Sequence, residues 1–421
     1  MIQAPKGTRD VLPNEGYKWQ FLEALLKEAA DEFGFREIRF PTFEATELFD
    51  RGIGDTTDVV QKEMYTFLDN GGRSISLRPE GTASVARAVI EHALDKAGLP
   101  VKCYYIAPNF RYEKPQAGRL REHHQFGVET IGSAEPAAEA EVIALADTFL
   151  RRLGIDDIVV NLNSVGCPEC RKGYNAALRA YFKRQETDLC ETCRGRLERN
   201  PMRILDCKSP VCQAIAKDAP RVIDYLCAGC AAHFEALKGL LTAMGIPYAV
   251  DPGIVRGLDY YTRTVFEFVS GQLGAQSTVC GGGRYDGLIQ SIGGAEVPAC
   301  GFGCGIERLL MITEASGRLP DEPAGPDIFL AAASDDCFPR AIALLHGLRK
   351  AGLRAEMDVM RRSLKAQMKY ADRLCARFCC VIGGDEVASG RGTFKNMTGG
   401  EGFACELSVG AITAAFTENN K

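Results

Sequence analysis

A chain of 421 residues, 46% hydrophobic and 25% charged, has the balance of a soluble globular protein and is too long for one core, so two or three domains are expected. The net charge of −5 argues against wholesale, nonspecific nucleic-acid binding, though a local basic face is compatible with it. Met1-Ile2-Gln3-Ala4-Pro5-Lys6 carries no signal-peptide core. No apolar stretch reaches the roughly 18 residues a membrane helix needs, so a cytoplasmic protein away from membranes is expected.

Tyr17 to Phe33 places Leu22, Leu25, Leu26, Ala29 and Phe33 on one face, which predicts an amphipathic helix. Phe35 to Phe40 predicts a short strand stopped by Pro41. Glu80 to Leu94 predicts a second helix. Val101 to Tyr105 and Phe126 to Thr130 predict strands around a polar loop with Gly118, Arg119 and Arg121. Glu139 to Leu153 is a third amphipathic helix. Between Cys167 and Cys230 the core residues thin out and eight cysteines fall, which marks an inserted domain. Val255 to Val269 returns to strand alternation, and Gly305 to Thr313 opens a buried helix. Leu319-Pro320-Asp321-Glu322-Pro323-Ala324-Gly325-Pro326 is a linker by composition. Beyond it, Asp327 to Ala333, Arg340 to Ala351, Arg354 to Met357, Arg361 to Phe378 and Cys379 to Ile382 alternate strand and helix, the pattern of a small α/β domain. Residues 326–421 carry a net charge of +2 against −7 for the remainder.

Three separated arginines sit beside aromatic, acidic or glycine neighbours: Arg111 in Phe110-Arg111-Tyr112-Glu113, Arg256 in Arg256-Gly257-Leu258-Asp259-Tyr260-Tyr261, and Arg308 in Gly301-Phe302-Gly303-Cys304-Gly305-Ile306-Glu307-Arg308. Guanidiniums converging on one cleft suit a polyphosphate, because the planar fork matches phosphate oxygens and keeps its charge. Leu77-Arg78-Pro79-Glu80-Gly81-Thr82 reads either as a capped helix start or as a cradle for a ligand ammonium. Gln125 and Glu129 share one strand face; they are either solvated or, with Arg111, Arg119 and Arg121 nearby, turned to a ligand. The Tyr260-Tyr261 pair alone reads equally as half-buried sheet residues. Gly281-Gly282-Gly283-Arg284-Tyr285-Asp286-Gly287 is a tight turn or a place where backbone approaches a ligand closely. Arg361, Lys365, Lys369, Arg373 and Arg377 recur at steps of four and form one basic ridge on the predicted helix, solvated or set against RNA phosphates.

Seventeen cysteines without a secretion signal point to free thiols or metal ligands rather than disulfides. Eight of them run C-x2-C-x19-C-x2-C-x13-C-x4-C-x14-C-x2-C. Paired knuckles of this kind suit zinc, two completing a tetrahedral site. Cys167, Cys170, Cys190 and Cys193 form the simplest set, with Cys207, Cys212, Cys227 and Cys230 as a second; small buried thiols without metal are the alternative.

Taken together, these motifs resemble the histidyl-tRNA synthetases, class II aminoacyl-tRNA synthetases, over nearly the whole chain. Lys6-Gly7-Thr8-Arg9-Asp10, the helix-strand-Pro41 segment and Thr57-Asp58-Val59-Val60-Gln61-Lys62-Glu63-Met64-Tyr65 look like that family's start and first class motif. Phe110 to Glu129 looks like the second motif and Gly301 to Arg308 like the third. Arg256 to Tyr261 and Gly282 to Gly287 look like the two signatures that mark histidine enzymes.

The resemblance implies an α+β fold, a six-stranded antiparallel sheet flanked by helices. Its catalytic domain would span 1–166 and 241–320, with a cysteine-rich insert at 167–240 and an anticodon-binding α/β domain at 326–421. It implies a histidine–tRNA ligase that uses L-histidine, ATP with Mg2+ and tRNA(His), and a homodimer joined through the first motif. Carried over by position, Glu80, Thr82 and Gln125 would hold the histidine α-ammonium, and Glu129 and Tyr261 the imidazole, with Gly81 and Tyr260 also among the histidine-binding residues. Arg111 and Arg256 would grip the α-phosphate and the histidine carboxylate as the catalytic pair. Glu113, Arg119 and Arg308, with Arg111, would orient ATP, and Arg361, Lys365, Lys369 and Arg373 would meet tRNA. The loop Arg119-Leu120-Arg121-Glu122-His123-His124 departs from the family, which commonly shows an aromatic at position 120 and another just before His124. The cysteine knuckles are not a general family feature.

Two other functions fit parts of the pattern. One is the catalytically silent paralogue that serves as regulatory subunit of ATP phosphoribosyltransferase; Arg256, Tyr260-Tyr261 and the C-terminal domain speak against it. The other is a tRNA-binding sensor, against which the intact arginine set speaks.

Overall fold

The computed structural model describes residues 1–421 except 55, 56, 58, 117, 255, 272–277, 420 and 421. Asp58 in the first motif and Val255 at the head of the 255–269 segment therefore lie outside the described residues. The chain divides into two compact units, Met1–Pro320 and Asp321–Lys421.

The sheet of the first unit grows from a long hairpin. Val101–Phe110 and Glu122–Ile131 pair antiparallel from Val101↔Ile131 to Phe110↔Glu122. Both strands run past the apolar stretches that predict them, because ladder pairing carries polar residues such as Asn109 and His123 along with it. Ala299–Gly305, Thr278–Arg284, Thr262–Val269 and Val159–Ser164 extend the same sheet, each antiparallel to the one before. The expected six antiparallel strands are thus the body of an eight-stranded sheet. Its edges are short parallel strands, Arg36–Glu37 and Tyr248–Val250.

One face of this sheet carries the main core. Helices Gly16–Glu32 and Pro136–Arg152 set Leu22, Leu26 and Phe149 against Phe126, Phe266 and Phe302. Phe126, Phe149 and Phe302 meet with ring centroids 5.6 to 5.9 Å apart, a packing in which deleting one ring typically costs about 3–5 kcal/mol. Helix Ala228–Ala243 adds Phe234, Leu237 and Leu241 to the same core. Trp19, the only tryptophan of the chain, lies on this helix layer with its ring edge-on to His124, centroids 4.9 Å apart. The opposite face is partly covered by helix Thr82–Glu91, whose Val85 and Val89 pack with Tyr105, Tyr285 and Leu288.

In the cysteine-rich insert, helices Pro168–Lys183, Glu191–Arg199 and Pro210–Ala216 enclose a small core of their own, including Tyr174, Leu178, Phe182, Leu197 and Val222. In the second unit the strand order is Ala355–Met357, Ile328–Ala332, Phe378–Ile382, Arg391–Asn396, Phe403–Glu406. The first three are parallel and the last two antiparallel. Ile328, Leu330 and Phe378 face helices Phe338–Lys350 and Val409–Asn419, while Phe329 and Ala331 face helix Leu364–Arg373. No described helix is long and apolar enough to cross a membrane.

Two expected elements are corrected. The strand read from Val255 begins only at Thr262, and Arg256 to Tyr261 form a looped segment before it. The helix read as Arg361 to Phe378 shrinks to Leu364–Arg373, because Arg361 and Cys375 take φ of 54° and 52°, which an α-helix excludes.

Candidate functional site

The sheet face away from the main core opens into a cleft of about 510 Å³. Glu80, Thr82, Arg111, Glu113, Arg119, Gln125, Glu129, Arg256, Tyr260, Tyr261 and Arg308 all line it. Of the small-ligand residues expected from sequence, only Gly81 does not. It makes room behind the wall, since a Cβ there would meet the Tyr105 ring at 2.4 Å.

Helix Thr82–Glu91 starts at the cleft and is capped from outside itself. The Glu80 carboxylate accepts from Thr82 N and Ala83 N, each at 2.8 Å. Capping and cradle are therefore one arrangement: the buried carboxylate that satisfies the helix start also faces the cleft. Thr82 Oγ1 donates to Glu129 Oε1 at 2.7 Å, and the Tyr285 hydroxyl donates to Glu129 Oε2. Glu129 is 1% exposed. Burial pushes its carboxyl up to about 8, against the opposing pull of the Tyr285 and Thr82 hydrogen bonds. Burial likewise raises the Glu80 carboxyl. Gln125 stands on the same strand face as Glu129, its Oε1 accepting from Asn109 Nδ2 at 2.7 Å.

Glycine makes these polar groups fit. A Cβ on Gly301 would lie 2.0 Å from Glu129 Oε2, and one on Gly303 1.9 Å from Gln125 Nε2. The third motif thus clears the space into which the second motif projects its side chains.

The arginines arrive from three elements. Arg111 follows strand Val101–Phe110 and is pinned by its Nε to the Pro79 carbonyl at 2.8 Å. Arg256 comes from the loop before Thr262–Val269, its Nη1 bonded to Glu267. Its Nε is buried and has no acceptor among the described residues. Arg308, in the first turn of helix Ile306–Ala315, donates from Nη1 to the Thr278 carbonyl at 2.6 Å. Arg119 pairs with Glu113 at 3.1 Å. Arg121 is turned elsewhere, its guanidinium 3.7 Å over the Tyr112 ring.

Sequence patterns alone do not single out several supporting groups. Glu267 anchors Arg256, Tyr285 anchors Glu129, and Glu307 accepts from His124 N at 2.9 Å. Glu307 also raises the His124 pKa through its hydrogen bond to the ring. His123 lines the cleft, and burial with the nearby Arg111 charge pushes it down to about 3, so it stays neutral. The alternation of Thr262–Val269 places Glu267 on the Arg256 side, a signal legible once that strand is placed. The glycine run is strand, not turn: Gly281 backs Arg256, while Arg284 points to the helix layer. There Arg284 is wholly buried and paired with Glu139. Burial alone would raise Glu139, but Arg284 and His233 hold it down to about 2.

The family model for histidyl-tRNA synthetase matches residues 7–309, and one for an anticodon binding domain matches 327–418. The chain is 54% identical over 401 residues to a histidine–tRNA ligase of Caldanaerobacter subterraneus subsp. tengcongensis, covering 95% of this chain and 96% of that one. It is 53% identical to the histidine–tRNA ligase of Acetivibrio thermocellus, over 95% of this chain and 96% of that one. The apo histidyl-tRNA synthetase structure from S. aureus superposes over 100% of both chains with a TM-score of 0.82 at 39% identity.

The chain belongs to the histidyl-tRNA synthetase family.

Two groups lie outside the cleft of this synthetase. In the anticodon-binding domain the five-residue basic ridge is corrected to three, Lys365, Lys369 and Arg373, exposed along helix Leu364–Arg373. Arg361 instead lies over the Phe338 ring at 4.7 Å, beside Asp335. The cysteines also pair differently from the expected Cys167, Cys170, Cys190 and Cys193. The structure gathers Cys167, Cys170, Cys227 and Cys230 in one group and Cys190, Cys193, Cys207 and Cys212 in another. Helix Pro168–Lys183 separates the first two knuckles, while the chain returns to the first only at Cys227.

Proposed function

We propose that the cleft joins L-histidine to ATP and passes the activated histidine to tRNA, the histidine–tRNA ligase reaction of the relatives. Arg256 carries this reading. Its Nε is a buried donor without an acceptor among the described residues, in a cleft that Arg111 and Arg308 also line. A partly buried cation whose Nε is left open among the described residues suits a ligand anion.

The roles follow the walls of the cleft. Glu80, Thr82 and Gln125 take the α-ammonium. Glu129 and Tyr261 take the imidazole, whose two nitrogens need a donor and an acceptor; Tyr260 packs against Tyr261 with ring centroids 4.8 Å apart. Arg111 and Arg256 bring the histidine carboxylate and the ATP α-phosphate together. Glu113, Arg119 and Arg308 orient the nucleotide. A carboxylate oxygen of histidine attacks the α-phosphorus in line, and the bond to pyrophosphate breaks. The guanidiniums are fixed beforehand where negative charge grows, which lowers the barrier without reorganisation. The terminal adenosine hydroxyl of tRNA then attacks the acyl carbon, releasing AMP.

Mg2+ is expected with ATP, and among the described residues no three His, Cys, Asp or Glu ligand atoms gather within one ion's reach in the cleft. On this reading the ion comes on the nucleotide's phosphates, and no step above depends on a protein-held metal.

The rest of the reading concerns organisation. Residues 1–166 with 241–320 form the catalytic domain, 167–240 its insert, and 326–421 the tRNA-anticodon domain, in a cytoplasmic homodimer. Exposed Phe43, Phe67 and Leu68 on the small sheet of Phe43–Ala45, Thr66–Leu68 and Ser74–Leu77 suit contact with a second copy. Histidine-dependent ATP–pyrophosphate exchange by the purified chain is the test. Exchange that needs histidine supports the reading, and none with folded protein would favour the silent regulatory paralogue.

A further inference from the structure

The eight cysteines of the insert are free thiols gathered in two fours, the four sulfurs of each all within 4.8 Å of one another. Cys167 Sγ is 3.5 Å from Cys170 Sγ and 4.0 Å from Cys227 Sγ, and Cys190 Sγ is 3.8 Å from Cys207 Sγ. A disulfide needs about 2.05 Å. Four sulfurs around one ion at metal–sulfur bonds of about 2.3 Å lie about 3.8 Å apart. The spacing is that of a single tetrahedral ion, and a multi-iron cluster would hold its cysteines wider. Backbone N–H groups also point at the sulfurs: Cys227 N at 3.1 Å from Cys170 Sγ, Cys190 N at 3.3 Å from Cys212 Sγ, and Ser209 N at 3.4 Å from Cys207 Sγ. Such donors stabilise thiolate charge, as outer partners of a metal do.

The two centres sit at different places in the chain. The first joins the starts of helices Pro168–Lys183 and Ala228–Ala243, where the insert leaves and rejoins the main unit. The second closes the segment between Cys193 and Cys207 on itself. From that segment Arg203, 7% exposed, donates to the Gly257 carbonyl at 2.6 Å and to Asp259 Oδ1 at 3.0 Å. Asn200 Nδ2 donates to the same oxygen at 3.2 Å. Gly257 and Asp259 belong to the loop that carries Arg256, and Asp206 itself lines the cleft.

We propose that the insert is a two-zinc module. One Zn2+ is held by Cys167, Cys170, Cys227 and Cys230, the other by Cys190, Cys193, Cys207 and Cys212, and the second fixes the Asn200–Arg203 brace against the Arg256 loop. Four thiolates at single-ion spacing favour zinc among divalent metals. The zinc count stands by itself, while the bracing role rests on the adenylation reading. Arg203 is on this account a positioning residue.

The test begins with metal analysis of the full chain purified without chelator. Two zinc ions per chain are expected, both released as an organomercurial titrates the thiols. Cys170→Ala and Cys193→Ala should each leave one ion. Trace zinc with all eight thiols titrating freely overturns the sites, and iron in their place overturns the metal. Arg203→Ala, which leaves every cysteine intact, should keep two zinc ions. It should lower kcat for pyrophosphate exchange about ten- to a hundredfold, the scale of a small misplacement, with KM for histidine within about twofold. Unchanged kcat overturns the brace. Absence of exchange in the unaltered, zinc-loaded chain would sink the adenylation reading and leave the zinc count standing.

Discussion

The cleft and the basic face of helix Leu364–Arg373 are both rich in charge, and they are built in opposite ways. In the cleft the main charged and amide groups are tied to protein partners: Glu129 to Thr82 and Tyr285, Arg256 to Glu267, Arg111 to the Pro79 carbonyl, Gln125 to Asn109. On the helix, Lys365, Lys369 and Arg373 are exposed to solvent. Charges fixed in a half-dry site act strongly and at one geometry. Charges in water act weakly, at longer range, and are screened by salt. The first design suits a reaction, the second the docking of a large polyanion.

This contrast can be broken at four places. Arg284→Met removes the permanently charged one of the two partners of buried Glu139, leaving His233, on the helix side of the sheet. Losing one member of a buried pair typically costs about 3–5 kcal/mol, and urea unfolding should show it; a variant as stable as the parent would contradict the assigned role of that pair. Arg256→Ala should lower pyrophosphate exchange about 10²–10³-fold, or about 3–4 kcal/mol, with histidine affinity comparatively intact. Near-normal exchange would end its assignment.

Glu129→Gln should weaken histidine binding by about 1–3 kcal/mol, measured by calorimetry. It should also change the pH dependence of the unliganded fold. The Glu129 carboxyl is raised to about 8, so it favours folding most below the ordinary carboxylate range, and that contribution is lost as pH rises through about 8. Thermal unfolding at pH 6 and pH 9 should therefore differ less in the Gln variant than in the parent. Equal differences would place the proton elsewhere. The smallest effect belongs to Lys369→Glu with Arg373→Glu. KM for tRNA should rise about five- to tenfold, with a shallower salt dependence and unchanged pyrophosphate exchange. Equal loss in both assays would mean misfolding instead.

The cleft was legible in the sequence because each of its walls is a short contiguous motif. Arg111 with Glu113, Gln125 with Glu129, and Arg256 with Tyr261 each travel together. What holds those groups was less legible. Glu267 and Asn109 reach their partners through strand alternation and pairing register, which local composition does not reveal. The cysteine knuckles were visible, but adjacency along the chain does not decide which knuckles meet. The helix lengths decide it, bringing Cys227 back to Cys167 rather than Cys190. The basic ridge failed at its first member for a backbone reason, the positive φ of Arg361, which an arginine in a periodic pattern does not advertise.

The lone Trp19 has a practical consequence. Its indole stands edge-on to His124, which follows cleft-lining His123 and is bonded to Glu307 beside Arg308. With no second tryptophan in the chain, tryptophan emission comes from one spot behind the second and third motifs. The protein carries its own optical probe there, and events at the nucleotide end of the cleft can be timed in stopped flow without a label.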